Sequence, residues 1–140
     1  MSIVGIGTEI VECVRIRQMI DEHGEQFLNR VFTEQEIRFC QARRQSTEHF
    51  AARWAGKMAV ARCLGSSQSM EPIWADIDIT TDLTNQSEVK LRGPLLESLK
   101  AHGNGRILLT MAHCRAYATA TAIAITESLQ GKTIHNEPLP

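Results

Sequence analysis

The stretch FAARWAGKMAVARCLG, Phe50 to Gly65, decides the fold. Its alanines at 51, 52, 55, 59 and 61 favour a helix and let neighbouring backbone approach closely, while Phe50, Trp54, Met58 and Ala61 mark one side of it. Gly65 stands where a glycine commonly ends a helix. Ser46 or Thr47, closing the polar loop RRQST, is placed to cap its start. The same segment carries Arg53, Lys57 and Arg62. Arg53 and Lys57 are at i and i+4, so they share a face; either their heads converge on an anion or they form a solvated stripe.

Working outward, Ile3 to Ile10 reads as a strand rich in β-branched residues, with Gly5 and Gly7 where another backbone or a ligand can come close. Val11 to His23 follows as a helix stopped by Gly24. Thr33 and Glu36 form a capping box, with Phe32 just before it, and predict a helix to about Gln41. Beyond the long helix, Ile73, Ala75, Ile77 and Ile79 alternate with polar residues as a half-buried strand does. The stretch from Asp82 to Ser87 is a turn, Glu88 to Arg92 the second strand of a hairpin, and Pro94 opens a helix to about His102. Arg106 to Ala112 is a further strand. In the next, Tyr117, Thr119, Thr121, Ile123 and Ile125 face one way and Ala118, Ala120, Ala122 and Ala124 the other. That alanine face must pack closely, on the core helix of the same subunit or on a symmetry-related copy. The tail, residues 129–140, has no periodicity and is expected to be mobile.

With 140 residues, 43% of them hydrophobic, the chain suits one compact domain, placed at residues 1–128. A net charge of -1 argues against nucleic acid or an anionic membrane as the main partner. Cys13, Cys40, Cys63 and Cys114 form no CxxC pair, which disfavours zinc and fits reduced thiols in the cytoplasm. No apolar run approaches the ~20 residues of a membrane span.

Few residues stand out chemically. Glu9 and Glu12, at the end of the first strand, are either dipole-complementing acids or, for Glu9, a ligand for a hard divalent cation. His113 is a phosphate or base contact, or a structural histidine. Asp76 and Asp78 point the same way on their strand, as pairs facing water do.

The blocks GIGTEIVECVRI and FAARWAGKMAVARCLG, in this order and separation, resemble the two signature blocks of the holo-acyl-carrier-protein synthase family. RVFTEQEI and MAHCRAYATATAIA resemble two further family segments, so the resemblance runs from about Ile3 to Glu127. It implies an α+β fold of the 4'-phosphopantetheinyl transferase type, a small antiparallel sheet packed on a long helix, assembled as a homotrimer with sites between subunits. It implies transfer of 4'-phosphopantetheine from coenzyme A to a serine of an acyl carrier protein, with magnesium, or manganese, at the diphosphate. Carried across, Glu9 stands at the metal-binding aspartate, Lys57 at the catalytic lysine and Glu48 at an acidic position counted with the catalytic residues. Arg53, Arg62 and His113 match groups around the phosphates of coenzyme A, and Arg15 a basic residue that touches the carrier protein.

The pattern breaks where the metal would sit. Met58 occupies the position of the second metal-binding glutamate, and a thioether is a poor ligand for magnesium. Glu9 is one methylene longer than the usual aspartate, the family's GKP turn is absent near Asn85 to Glu88, and Cys114 replaces a threonine. Weakened metal dependence is the expectation. The alternatives are a non-catalytic paralogue that binds coenzyme A or a carrier protein, and a purely structural oligomer.

Overall fold

A computed structural model describes residues 1–65 and 74–127. The turn after Gly65, the expected strand start at Ile73 and the tail at 129–140 lie outside the described residues. Strand β1 (Ser2–Glu12) leads into α1 (Cys13–His23), α2 (Glu25–Val31), α3 (Glu34–Gln41) and the long helix α4 (Ser46–Cys63). A 3-10 turn (Trp74–Asp76) precedes the hairpin β2 (Ile77–Thr81) and β3 (Ser87–Leu91), followed by α5 (Gly93–Lys100), β4 (Asn104–His113) and β5 (Tyr117–Glu127). The main sheet is antiparallel in the order β1-β5-β4. This is an α+β architecture with α4 lying across the sheet. Among the described residues no helix is long and apolar enough to cross a membrane.

Small residues set the distance between helix and sheet. Ala118, Ala120, Ala122 and Ala124 of β5 are at most 1% exposed, and Ala51, Ala55 and Ala59 of α4 are wholly buried against the sheet. The alanine face is therefore covered by the helix of its own chain. On β1, a Cβ added to Gly5 would lie 1.8 Å from the Cys63 carbonyl oxygen, and one added to Gly7 would lie 2.1 Å from that of Ala59. Strand and helix backbones touch here, which only glycine permits. The outer face of the sheet is bare: Ile6 is 60% exposed, Ile10 63%, Leu108 45% and Tyr117 49%.

The capping box of α3 has both halves in place. The Thr33 hydroxyl accepts from the Glu36 amide at 3.3 Å, and Glu36 Oε1 accepts from the Thr33 amide at 2.8 Å. Glu36 also reaches beyond its own helix. Its Oε2 accepts from the Ile79 amide at 2.9 Å, and its Oε1 lies 2.6 Å from Lys57 Nζ. Lys57 is wholly buried and donates further to the carbonyls of Val31 at 2.7 Å and Trp74 at 3.1 Å. Burial pulls the Lys57 ammonium below its ordinary range and pushes the Glu36 carboxyl up, while their mutual attraction opposes both shifts. One ammonium thus joins α2, α3, α4 and the turn at Trp74.

Two expectations for the hairpin need correcting. The strand begins at Ile77, because Trp74–Asp76 coils as a 3-10 turn, with the Trp74 carbonyl on Lys57 and its ring 6.0 Å from that of Trp54. Asp78 does not face water: it is 5% exposed and accepts from the Thr33 hydroxyl at 2.9 Å. The seven-residue helix α2 was not evident from periodicity; its buried side is Phe27, Leu28 and Val31.

Replacing Gly5 by alanine should cost about 3 kcal/mol or more in a urea titration, the upper end of overpacking penalties. Lys57→Met should cost about 3–5 kcal/mol by leaving the Glu36 carboxylate buried without its cation. A variant of unchanged stability but impaired activity would instead assign Lys57 to chemistry.

Candidate active site

The side chains expected to act together fall on two sides of α4. Glu48, Ala55 and Arg62 recur every seven residues, two turns of helix, and so share the side turned to the sheet and its β1 edge. Lys57 follows Glu48 by nine positions, two and a half turns, and points the opposite way. Arg53 goes with Lys57 to the hairpin side. Its guanidinium donates to the Thr81 hydroxyl at 2.7 Å and lies 4.0 Å over the Phe39 ring, with only 2% of the residue exposed. Burial lowers its pKa, and its Nε has no hydrogen-bond partner. The expected convergence of Arg53 and Lys57 on an anion is thus not what this geometry provides. Both are committed to internal partners.

Arg62 remains available. Its NH2 is 3.0 Å from Glu9 Oε2 and its NH1 donates to the Thr8 carbonyl at 3.2 Å, yet 43% of its side chain is exposed. Glu9 reaches this point because β1 alternates: Gly5, Gly7 and Glu9 point towards α4, and the two glycines bring the strand in. Its other oxygen, Oε1, accepts from the Ile10 amide at 3.1 Å. Met58 is half-buried one turn before Arg62.

A second group gathers at the N-terminal end of α4. Glu48 Oε1 lies 3.1 Å from His113 Nδ1, at the end of β4. The His113 ring is 4.7 Å from that of His49, whose pKa is lowered by burial and then by His113. Glu48 also lines an open cavity of about 480 Å³ with Cys13, Arg17, Arg44, Ser46 and Arg115. Three guanidinium groups and the first turn of an 18-residue helix therefore face one space, a setting for anions. The Cys13 thiol contacts the Cys114 carbonyl at 3.6 Å, and burial, then Glu48 and Cys114, push its pKa up. Arg15 is exposed on α1, outside this cavity.

Sequence reading missed Arg17, Arg44 and Arg115. Arg44 lies in the polar loop before α4, and Arg115 follows His113 by two positions; only the fold shows that α1, that loop and the β4–β5 turn meet. The two groups do not meet within one chain. Glu48 and Arg62 are separated by about 21 Å along the helix axis at ~1.5 Å per residue.

The residues do not form the magnesium cradle that the resemblance implies. Among the described residues no three His, Cys, Asp or Glu side chains are grouped so as to hold a metal ion. Both Glu9 oxygens are engaged, by Arg62 and by Ile10, and the neighbouring Met58 offers only a soft sulfur.

The chain is 40% identical over 125 residues to a holo-[acyl-carrier-protein] synthase of Chlamydia pneumoniae, covering 89% of this chain and 99% of the relative. It is 42% identical over 123 residues to the holo-[acyl-carrier-protein] synthase of Rhodopirellula baltica, covering 88% and 98%. The crystal structure of holo-[acyl-carrier-protein] synthase from Neisseria meningitidis superposes with a TM-score of 0.77 at 28% identity, covering 89% of this chain and all of that one, 100%. An ACPS-CoA complex from Chronobacterium ammoniagenes gives 0.76 at 26% identity, with 91% and 100% covered. The profile of the 4'-phosphopantetheinyl transferase superfamily matches residues 5–122, and the chain belongs to that family.

Proposed function

We propose that this protein transfers 4'-phosphopantetheine from coenzyme A to a serine of an acyl carrier protein, releasing holo carrier protein and adenosine 3',5'-bisphosphate. The observation that carries this reading is the arginine-lined cavity at the N-terminus of α4, with Glu48 on its wall and His113 bonded to Glu48. Relatives named for this reaction, and a relative in complex with CoA, support the substrate class. Residues 1–128 act as one domain, in the cytoplasm, where the described thiols stay free.

In the transfer, the serine oxygen attacks the phosphorus next to the pantetheine arm. The bond from that phosphorus to the oxygen bridging the two phosphates breaks, and that oxygen leaves with the adenosine part. Glu48, oriented by His113, takes the serine proton. Arg62, fixed on Glu9, neutralises charge gathering on the leaving phosphate. The cavity arginines hold the nucleotide's phosphates together with His113, and exposed Arg15 on α1 meets the acidic carrier. Lys57 and Arg53 act from inside the fold by holding α4 in place. The magnesium known in the family finds no cradle among these residues, so no step relies on it.

The active assembly is a homotrimer. The bare outer face carrying Ile6, Ile10, Leu108 and Tyr117 needs covering, and packing copies side by side joins the Glu9–Arg62 end of one chain to the Glu48–His113 end of the next. A specific observation also favours a second reading, binding without transfer: the thioether of Met58 where a metal-binding carboxylate is expected.

Incubating apo carrier protein with the enzyme and coenzyme A should add the mass of one phosphopantetheine group to the carrier, read by mass spectrometry. Coenzyme A binding without any mass change at high enzyme concentration selects the second reading. Glu48→Gln should lower the transfer rate by about 10²–10⁴-fold while the fold is kept. In sedimentation the wild type should run at three times the 15.6 kDa chain mass, and Ile10→Arg should give a folded monomer without activity. A monomeric, active wild type would remove the shared-site arrangement.

A further inference from the structure

We propose that Arg62, held on Glu9 beside Met58, supplies as a fixed guanidinium the positive charge that would otherwise come from a divalent cation, so that this chain grips a diphosphate without metal. This rests on coenzyme A being the donor. Four observations converge. Among the described residues Glu9 is the carboxylate paired with Arg62, and each of its oxygens already has a partner, Arg62 NH2 at 3.0 Å and the Ile10 amide at 3.1 Å. Arg62 is anchored twice, on Glu9 and on the Thr8 carbonyl at 3.2 Å, so the direction of its planar fork is set before a ligand arrives. It still exposes 43% of its side chain, so it can be reached from solvent. Met58, one turn away on the same edge, contributes no charge and no hard oxygen to compete for that space.

The chemistry of the two cations differs in what each requires. Magnesium needs near-octahedral oxygen ligands and keeps several waters, and one engaged carboxylate supplies little of that shell. A guanidinium needs no ligand set. It presents parallel N–H donors that match two phosphate oxygens, and it keeps its charge at any working pH. A carboxylate beneath it serves here to orient it. A methionine at the position of the family's second carboxylate keeps a negative charge away from the turn of α4 next to Arg62. Glu9 and Met58 together therefore suit a fixed arginine better than a bound ion.

The test is calorimetric titration of coenzyme A into the full chain in EDTA and in excess magnesium, with paramagnetic resonance of added manganese as an independent readout of metal binding. The expected result is coenzyme A affinity changed by less than about twofold on chelation, and no protein-bound manganese before coenzyme A is added. Arg62→Gln should weaken coenzyme A by about tenfold or more in EDTA. Met58→Glu should create manganese binding that the wild type lacks. Wild-type affinity that falls about tenfold or more in EDTA overturns the inference while leaving the transferase reading intact. An Arg62→Gln protein that binds as tightly as wild type, or a Met58→Glu protein that binds no more manganese, also overturns it. Failure of the wild type to bind coenzyme A in either buffer overturns the reading on which it rests.

Discussion

The near-contact of α4 with the sheet is the constraint on which the rest depends. Glycines at 5 and 7 and the alanine columns of α4 and β5 remove the side-chain layer that normally separates a helix from a sheet. Two consequences follow from the closeness. Glu9, the next inward residue of β1 after Gly7, comes within reach of Arg62, and His113, at the far end of β4, comes within reach of Glu48. The charged groups need no flexible loops to find one another, because each sits at the edge of a regular element whose position is fixed by backbone contact. Rigid placement of this kind is what a reaction dominated by positioning requires.

The opposite side of the helix shows how that position is kept. Lys57 and Glu36 are a fully buried pair, and such pairs contribute little net stability once desolvation is counted. Their value here lies in geometry. The Lys57 ammonium has the Glu36 carboxylate, the Val31 carbonyl and the Trp74 carbonyl as acceptors, each from a different segment, so rotation or sliding of α4 would strand a buried charge. Glu36 has a matching load, since its oxygens also take the amides of Thr33 and Ile79. A capping box that began as local helix chemistry thereby becomes a junction between α3, α4 and the hairpin.

Much of the fold was legible because it follows from local rules. The period-two alternation of Tyr117 to Ile125, the glycine after His23, and the Thr33–Glu36 box each report a backbone state that a few neighbouring residues determine. The two glycines of β1 were readable as points of close approach, and α4 proved to be what approaches. The charged residues of α4 were harder, because a lysine carries the same chemistry whether it faces a ligand or a buried carboxylate. In the sequence Lys57 and Arg53 look outward-facing, since burial of two cations on one helix face is rare, and the capping role of Glu36 conceals that it is the partner of Lys57. Asp78 failed for the same reason, as its partner Thr33 is 45 positions away. The Arg17, Arg44 and Arg115 grouping is a tertiary fact with no sequence period behind it. By contrast, Glu9, Glu48, Arg62 and His113 lie at element ends, where strand and helix phase alone place them at an edge.

Charge is divided unevenly between the two ends of α4. Glu9 offsets part of the charge of Arg62, so this end grips a diphosphate at contact distance through directed N–H donors and attracts it only weakly from afar. The attraction resides at the other end, where Arg17, Arg44 and Arg115 surround a single carboxylate, Glu48. These centres are about 21 Å apart along the helix, beyond the ~8–10 Å over which exposed charges act at ordinary ionic strength. Within one chain, the end that can orient a diphosphate is thus separated from the end that can attract it. Placing the second end of one copy beside the first end of another joins attraction to orientation, and the uncovered isoleucines of the sheet provide the surface on which copies can meet. In the proposed trimer, the same small-residue packing that brings helix and sheet together within a chain would leave its chemistry to be completed between chains.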